Sequence, residues 1–138
     1  MGKRRKAREI VLQSLYEAEF SDRPWEEILD NQIDRRSSSE ETVEYARDLL
    51  CKTLENLEHL DAKLASTLEN WEMERVSLVD KCILRFALAE IMYFLHVPSK
   101  VIINEAIEVA HKYSSQDAGK FVNGVLDRLV HEFRGKAA

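Results

Sequence analysis

From Ser77 to Leu95 the chain reads SLVDKCILRFALAEIMYFL, a segment of helical length that is apolar on almost every side. A surface helix carries one apolar stripe, whereas a helix without a polar face is stable only when neighbours cover it all round. The rest of the chain must therefore wrap this segment. Strands are poorly provided for, because 138 residues with only 4 Gly and 2 Pro hold little turn material for a many-stranded sheet. Ser77 followed by Asp80 has the form of a capping box at the start of the segment. His96-Val97-Pro98-Ser99 ends it, since proline disfavours a helical residue before it and Ser99 is placed to cap the next helix. The charged exceptions inside are Asp80, Lys81, Arg85 and Glu90. Arg85 is costly to bury unpaired, so the pattern predicts a carboxylate partner such as Glu105.

The covering elements can be read from apolar spacing. A first helix runs from about Lys3 to Phe20, with Ala7, Ile10, Val11, Ser14, Leu15 and Ala18 as its inner stripe. Residues 21 to 38 read as a turn, a short helix started near Ser21-Asp22 and Pro24, and a linker. Trp25, Ile28, Leu29 and Ile33 are the apolar side of that short helix. Arg35 and Arg36 fit loop solvation or a second phosphate contact. From Ser39 a longer helix carries Val43, Ala46, Leu49, Leu50, Thr53, Leu54 and Leu57. A bend near Glu58 to Asp61 separates it from a helix with Leu60, Leu64, Ala65 and Leu68, which ends about Asn70. After Pro98, Ile102, Ile103, Ala106, Ile107, Val109 and Ala110 recur at helical spacing, and Ser114 with Asp117 resembles a capping box opening a last helix. Ala118, Val122, Val125, Leu126, Leu129 and Phe133 form its stripe, and Arg134-Gly135-Lys136 is its stop.

Charge is divided along the chain. The net charge is −5, yet Lys3, Arg4, Arg5, Lys6 and Arg8 place five positive charges in the first eight residues with no acid among them. From Glu17 to Glu74, 17 acids face six bases. An acidic body with a basic head points to one localised anion-binding patch. On the first helix Arg5, Arg8, Leu12 and Tyr16 fall within about 80° of one another on a wheel of about 100° per residue. Guanidinium groups interleaved with a phenol ring suit single-stranded nucleic acid, where arginine neutralises phosphate and an aromatic ring stacks on an unpaired base. A solvated basic helix end with Tyr16 in the core is the alternative. On the last helix Phe121 falls beside Asp117, Lys120, Gly124 and Arg128 rather than in the stripe. It either widens the core face or offers a second ring to a base.

Other chemistries are not indicated. Cys51 and Cys82 form no CxxC pair, and His59, His96, His111 and His131 stand at spacings that suggest no metal set. No Walker loop, dinucleotide-binding glycine motif, HExxH, GxSxG or EF-hand loop occurs. No catalytic residue, metal or cofactor is therefore expected. The basic N-terminus is followed by IVLQSLYEAEF, which Gln13, Glu17 and Glu19 interrupt before an adequate signal-peptide core. No segment reaches about 18 uncharged apolar residues, so no membrane span is expected, and reduced thiols fit a cytoplasmic location.

Several runs carry a family resemblance. Ile103-Asn104-Glu105-Ala106-Ile107-Glu108 followed by Lys120-Phe121-Val122-Asn123-Gly124-Val125-Leu126-Asp127 resembles the C-terminal signature of the NusB transcription antitermination family. Arg5-Lys6-Ala7-Arg8-Glu9 with Leu15-Tyr16 is similar to the family's start. Trp71 through Arg75, Asp80 and Ile83-Leu84-Arg85 are similar to its middle, and Pro98 stands in the family's place ahead of the INEA run. Only about residues 20 to 45 lack family-specific text.

The resemblance implies an all-α domain of about seven helices in two packed three-helix bundles, an N-terminal subdomain of about 1–70 and a C-terminal one of about 71–138. It implies a non-catalytic factor that binds single-stranded boxA RNA jointly with the ribosomal protein NusE and modifies RNA polymerase on ribosomal RNA operons. Monomers and homodimers are both compatible with it. RNA contacts carry over to Arg5, Arg8, Tyr16, Asp117, Lys120 and Phe121, and more weakly to Lys3, Arg4 and Tyr113. Asp117 would accept hydrogen bonds from base amino groups, or serve only as a cap. Glu74 and Asp80, from the acidic side, are the expected contacts to basic NusE; a surface acid and a cap are the alternatives. A helical interaction module without RNA, or the targeting domain of a ribosomal RNA methyltransferase, are the competing functions. The latter is expected to need chain beyond Ala138.

Overall fold

The computed structural model describes residues 2–68 and 75–135, and these form seven α-helices with no strand. They are α1 (Gly2–Ala18), α2 (Trp25–Asp34), α3 (Glu40–Glu55), α4 (Leu57–Thr67), α5 (Leu78–Tyr93), α6 (Ser99–Tyr113) and α7 (Gln116–Arg134). The segment without a polar face is α5, and every residue from Cys82 to Ile91 is buried. Helices α1, α3, α4, α6 and α7 all pack against it, as its composition requires. Helices α2 and α3 pack on α1, and α6 packs on α7. One apolar cluster, from Ala7 through Ile83, Phe86 and Leu88 to Leu129, joins the two halves.

The buried charges of α5 are each answered. Arg85 finds carboxylates, but not the expected Glu105: its Nε and Nη2 donate to Asp61 at 2.8 and 3.0 Å, and Glu19 lies at 3.5 Å. Asp61 comes from α4 and Glu19 from the turn that follows α1, while Glu105 lies against the start of α1 and pairs with Arg5. Glu90, fully buried, accepts from Arg8 Nε and Nη2 at 2.8 and 2.7 Å and from the Tyr45 hydroxyl. Arg134 reaches back from α7 and donates to the carbonyls of Glu90, Ile91, Phe94 and Val97, which closes the C-terminal end of α5.

Local starts and stops differ from the predicted ones in register. The last helix is capped by Ser115, whose Oγ accepts from Ala118 N–H, while Ser114 terminates α6; Asp117 is thus a first-turn acid and not the partner of a box with Ser114. Pro98 is the N-cap of α6, so Ser99 lies inside the helix with its Oγ accepting from Arg134. Pro24, named with Ser21-Asp22 in the predicted start, is the residue that precedes α2. The break after α3 falls at Asn56, two residues before the expected bend, and Asn56 donates its side-chain amide to the Lys52 carbonyl. Ser77 caps α5 as read from the sequence, and Ser39, where the sequence starts the longer helix, caps α3; each accepts from the backbone N–H three residues on. Gly135, at φ 71°, ends α7 in the left-handed region that glycine tolerates.

Candidate nucleic-acid interface

The basic head is largely engaged within the protein. Arg5 Nε and Nη2 donate to Glu105 at 2.8 and 2.9 Å, and Lys6 Nζ donates to the Ser37 carbonyl at 2.8 Å. The hydrogen bond to Glu105, outweighing partial burial, raises the Arg5 pKa, and the same bond holds the Glu105 carboxyl below its ordinary value. The Arg4 guanidinium sits 4.7 Å from the centre of the Tyr45 ring. Lys3 lies 3.6 Å from Glu41 in an exposed pair, a contact of the kind that contributes at most about 1 kcal/mol and that a phosphate can displace.

The expected shared outer face of Arg5, Arg8, Leu12 and Tyr16 is corrected. Arg8 is 1% exposed and Leu12 3%, whereas Tyr16 is 42% exposed. Arg8 turns inward because the carboxylate of Glu90 waits there. Burial opposes its charge, but the bond to Glu90 and that carboxylate's field outweigh it and raise the Arg8 pKa. It lines only the floor of a groove formed with Lys3, Arg4, Glu41, Val101 and Glu105.

A second set of expected residues gathers at the other end of α1. Leu12, Gln13 and Tyr16 of α1, Val79 of α5 and Tyr113 of α6 line one groove. Tyr113 is held in place, for its hydroxyl donates to Glu9 Oε1 at 3.0 Å and Lys112 Nζ donates to both Glu9 oxygens at 3.1 Å. The Tyr16 ring packs against Phe20 at 5.3 Å, and Phe20 is 72% exposed.

A neighbouring groove is lined by Arg75, Val76, Ser77, Asp80, Ser115, Asp117, Ala118, Lys120 and Phe121. Adjacent residues in the first turn of α5, Val79 and Asp80, contribute to the two grooves, so the grooves lie side by side. The caps of α5 and α7 both border the second one, and helix N-termini carry partial positive charge. Lys120 and Arg75 are exposed and form no ion pair among the described residues. Phe121 is half-buried: it packs against the core and also lines the groove.

Tyr16, Tyr113, Asp117, Lys120 and Phe121 are therefore brought together, while Lys3, Arg4, Arg5 and Arg8 cluster at the start of α1. Eleven residues of helix, about 16 Å, separate Arg5 from Tyr16. Asp80 lies among the expected RNA contacts and not on a separate acidic side; one of its carboxylate oxygens is buried without a hydrogen-bond partner among the described residues. Glu74 lies outside the described residues. Gln13, Phe20 and Arg75 were not singled out from sequence. The first two sit three residues before and four after Tyr16, a spacing that places them on its face.

The Cys82 thiol is buried, and desolvation pushes its pKa up to about 11, so it is protonated at neutral pH. Among the described residues no three His, Cys, Asp or Glu side chains gather as a metal cluster, and no helix is long and apolar enough to cross a membrane.

Comparison with known proteins gives a consistent family assignment. The model of the NusB family matches residues 5–131. A transcription antitermination protein NusB of Exiguobacterium sp. is 38% identical over 130 residues, which cover 94% of this chain and 98% of the relative. Among solved structures, NusB of T. maritima superposes with a TM-score of 0.86 at 38% identity, covering 94% of this chain and 91% of that one. A structure of the antitermination factors NusB and NusE in complex with dsRNA has a TM-score of 0.85 at 24% identity over 96% of this chain and 99% of that one, a likeness of fold.

Proposed function

This chain belongs to the NusB family, and from that membership we propose that it is a non-catalytic, RNA-binding transcription antitermination factor. It binds single-stranded boxA RNA together with NusE, and the assembly modifies RNA polymerase on ribosomal RNA operons in the cytoplasm. The observation that carries this reading is the meeting of three aromatic side chains from three helices, Tyr16, Tyr113 and Phe121, in adjacent grooves with Lys120 and Arg75 exposed at their edge. Partly exposed rings beside cations that form no ion pair among the described residues are what a single strand needs: a stacking platform for bases and neutralisation of phosphate.

In this reading Tyr16, Tyr113 and Phe121 contact bases, and Lys120 and Arg75 contact phosphates. Asp117, exposed in the first turn of α7, accepts from a base amino group and contributes selectivity rather than affinity. Lys3, Arg4 and Arg5 extend the path along α1, where the strand exchanges places with the weak Lys3–Glu41 pair. Arg8 acts indirectly, by fixing α1 on Glu90. Glu74 and Asp80 are the contacts to the basic protein partner, and Asp80 lines the same groove as Lys120 and Phe121.

The test is a titration of labelled boxA-type RNA and a scrambled control at fixed salt, with and without NusE. Preferential binding that tightens with NusE is the expected result. Equal binding of both RNAs by the folded protein in the presence of NusE would leave a helical interaction module.

A further inference from the structure

The groove between Tyr16 and Tyr113 differs in kind from its neighbour. Its walls are the two tyrosines, its floor is Leu12 and Val79, and no charged side chain lines it. A phosphate has no partner there; cations line the adjacent groove instead. At about 250 Å³ it is smaller than the roughly 300–1,000 Å³ of pockets that enclose drug-sized ligands, which restricts it to one small planar group. Both walls are set before anything binds: Glu9 and Lys112 fix Tyr113, and Phe20 backs Tyr16.

The one side-chain amide in this lining belongs to Gln13. It is half-buried at the helix position three residues before Tyr16, and among the described residues its amide has no hydrogen-bond partner. An amide offers an acceptor oxygen and a two-hydrogen donor side by side. That pairing matches an adjacent donor and acceptor on a base edge, the adenine N6/N7 edge above all, and single-stranded RNA presents such edges on bases turned out of the stack.

We propose that this groove receives one unstacked RNA base between Tyr16 and Tyr113, and that Gln13 is the residue that selects it. The assignment rests on the RNA-binding reading above and adds to it a division of labour. Arg75 and Lys120 of the adjacent groove hold the backbone without regard to sequence, and Gln13 reads one base in its own groove.

The test is a substitution scan of a boxA-type RNA, each nucleotide changed in turn to the other bases and to an abasic site, against wild type, Gln13→Leu and Gln13→Glu. Gln13→Leu keeps the bulk and removes both hydrogen-bonding groups; Gln13→Glu keeps the acceptor and removes the donor. In wild type one position is expected to discriminate by about 5- to 150-fold, the range that corresponds to about 1–3 kcal/mol per base. In Gln13→Leu that discrimination collapses at the same position while the others keep theirs, and unchanged melting temperatures confine the effect to recognition. If Gln13→Leu retains the full wild-type pattern at every position, the assignment of Gln13 is overturned while the RNA-binding reading stands. If wild type prefers boxA-type RNA to no degree over its scrambled control, the functional reading falls and the base site falls with it.

Discussion

The buried triad of Arg8, Tyr45 and Glu90 gives the sharpest quantitative expectation. Changing Glu90 to Gln preserves volume but removes the charge opposite Arg8, whose side chain is only 2% exposed. Breaking one side of a buried ion pair costs about 3–5 kcal/mol, because the remaining charge has lost its water and its partner. A chain of this size is stable by about 5–15 kcal/mol in total, so Glu90→Gln removes a large part of the margin. At roughly 3–4 °C per kcal/mol the melting temperature falls by roughly 10–20 °C. Replacing the whole network reverses the sign of the argument. Arg8→Met/Tyr45→Phe/Glu90→Met leaves no buried polar group without a partner, and buried pairs exchanged for apolar groups are neutral or stabilising by about 1–4 kcal/mol. Thermal and denaturant unfolding of wild type, the single variant and the triple variant measure these differences directly. A single-variant cost below about 1 kcal/mol, or a triple variant as unstable as the single one, would refute the reasoning. The triple variant also keeps its RNA affinity if Arg8 acts only by holding α1; a selective loss of RNA binding in a fully folded triple variant would move Arg8 to the RNA.

Three further outcomes follow from other sites. Phe121→Ala lowers RNA affinity by about 5- to 150-fold, equivalent to about 1–3 kcal/mol for one lost base stack, with a melting temperature reduced by less than a fully buried Phe→Ala change entails; a drop in stability without loss of RNA affinity would assign the ring to the core alone. The Glu105 carboxyl is held below its ordinary value of 4.5 by Arg5, so in acid the unfolded chain takes up this proton before the folded one. The stability it contributes is whole above pH 4.5 and is lost as pH falls below it. The stability difference between wild type and Glu105→Gln is therefore expected to be level from pH 7 to about 5 and to shrink toward pH 3, and a difference independent of pH would contradict it. On α7, a Cβ added at Gly124 meets nothing within 4 Å, whereas one added at Gly119 comes within 2.3 Å of His111 Nε2. Gly124→Ala should gain up to about 1 kcal/mol of helix propensity, and Gly119→Ala should gain less because the His111 ring must move aside, read from paired denaturant melts.

Which features were legible in the chain follows from the range of the interactions behind them. Helices α1, α3, α5, α6 and α7 follow from apolar spacing, since the burial of a stripe is decided by residues three and four apart. Ser77 is legible as a cap because a cap is a contact over three residues. Ser114 and Ser115 are adjacent and offer the same local contact, so the sequence does not distinguish them; in the structure Ser115 caps α7 while Ser114 ends α6. The aromatic candidates were visible as residues out of stripe: Tyr16 on α1 and Phe121 on α7.

Helical periodicity determined that this chain is all-α, that α5 lies at its centre, and that a basic start precedes an acidic body. Tertiary structure alone decided which charges remain available to a ligand. Arg5 and Arg8 look alike on a helical wheel, but Glu105 and Glu90 meet them from helices about 100 and 80 residues away in sequence, and one arginine stays at the surface while the other is buried. Arg85 illustrates the same point, since any of several acids satisfied the sequence and the packing of α4 chose Asp61. An ion pair depends on a few ångströms between side chains of separate helices, and that distance is set only when the core closes.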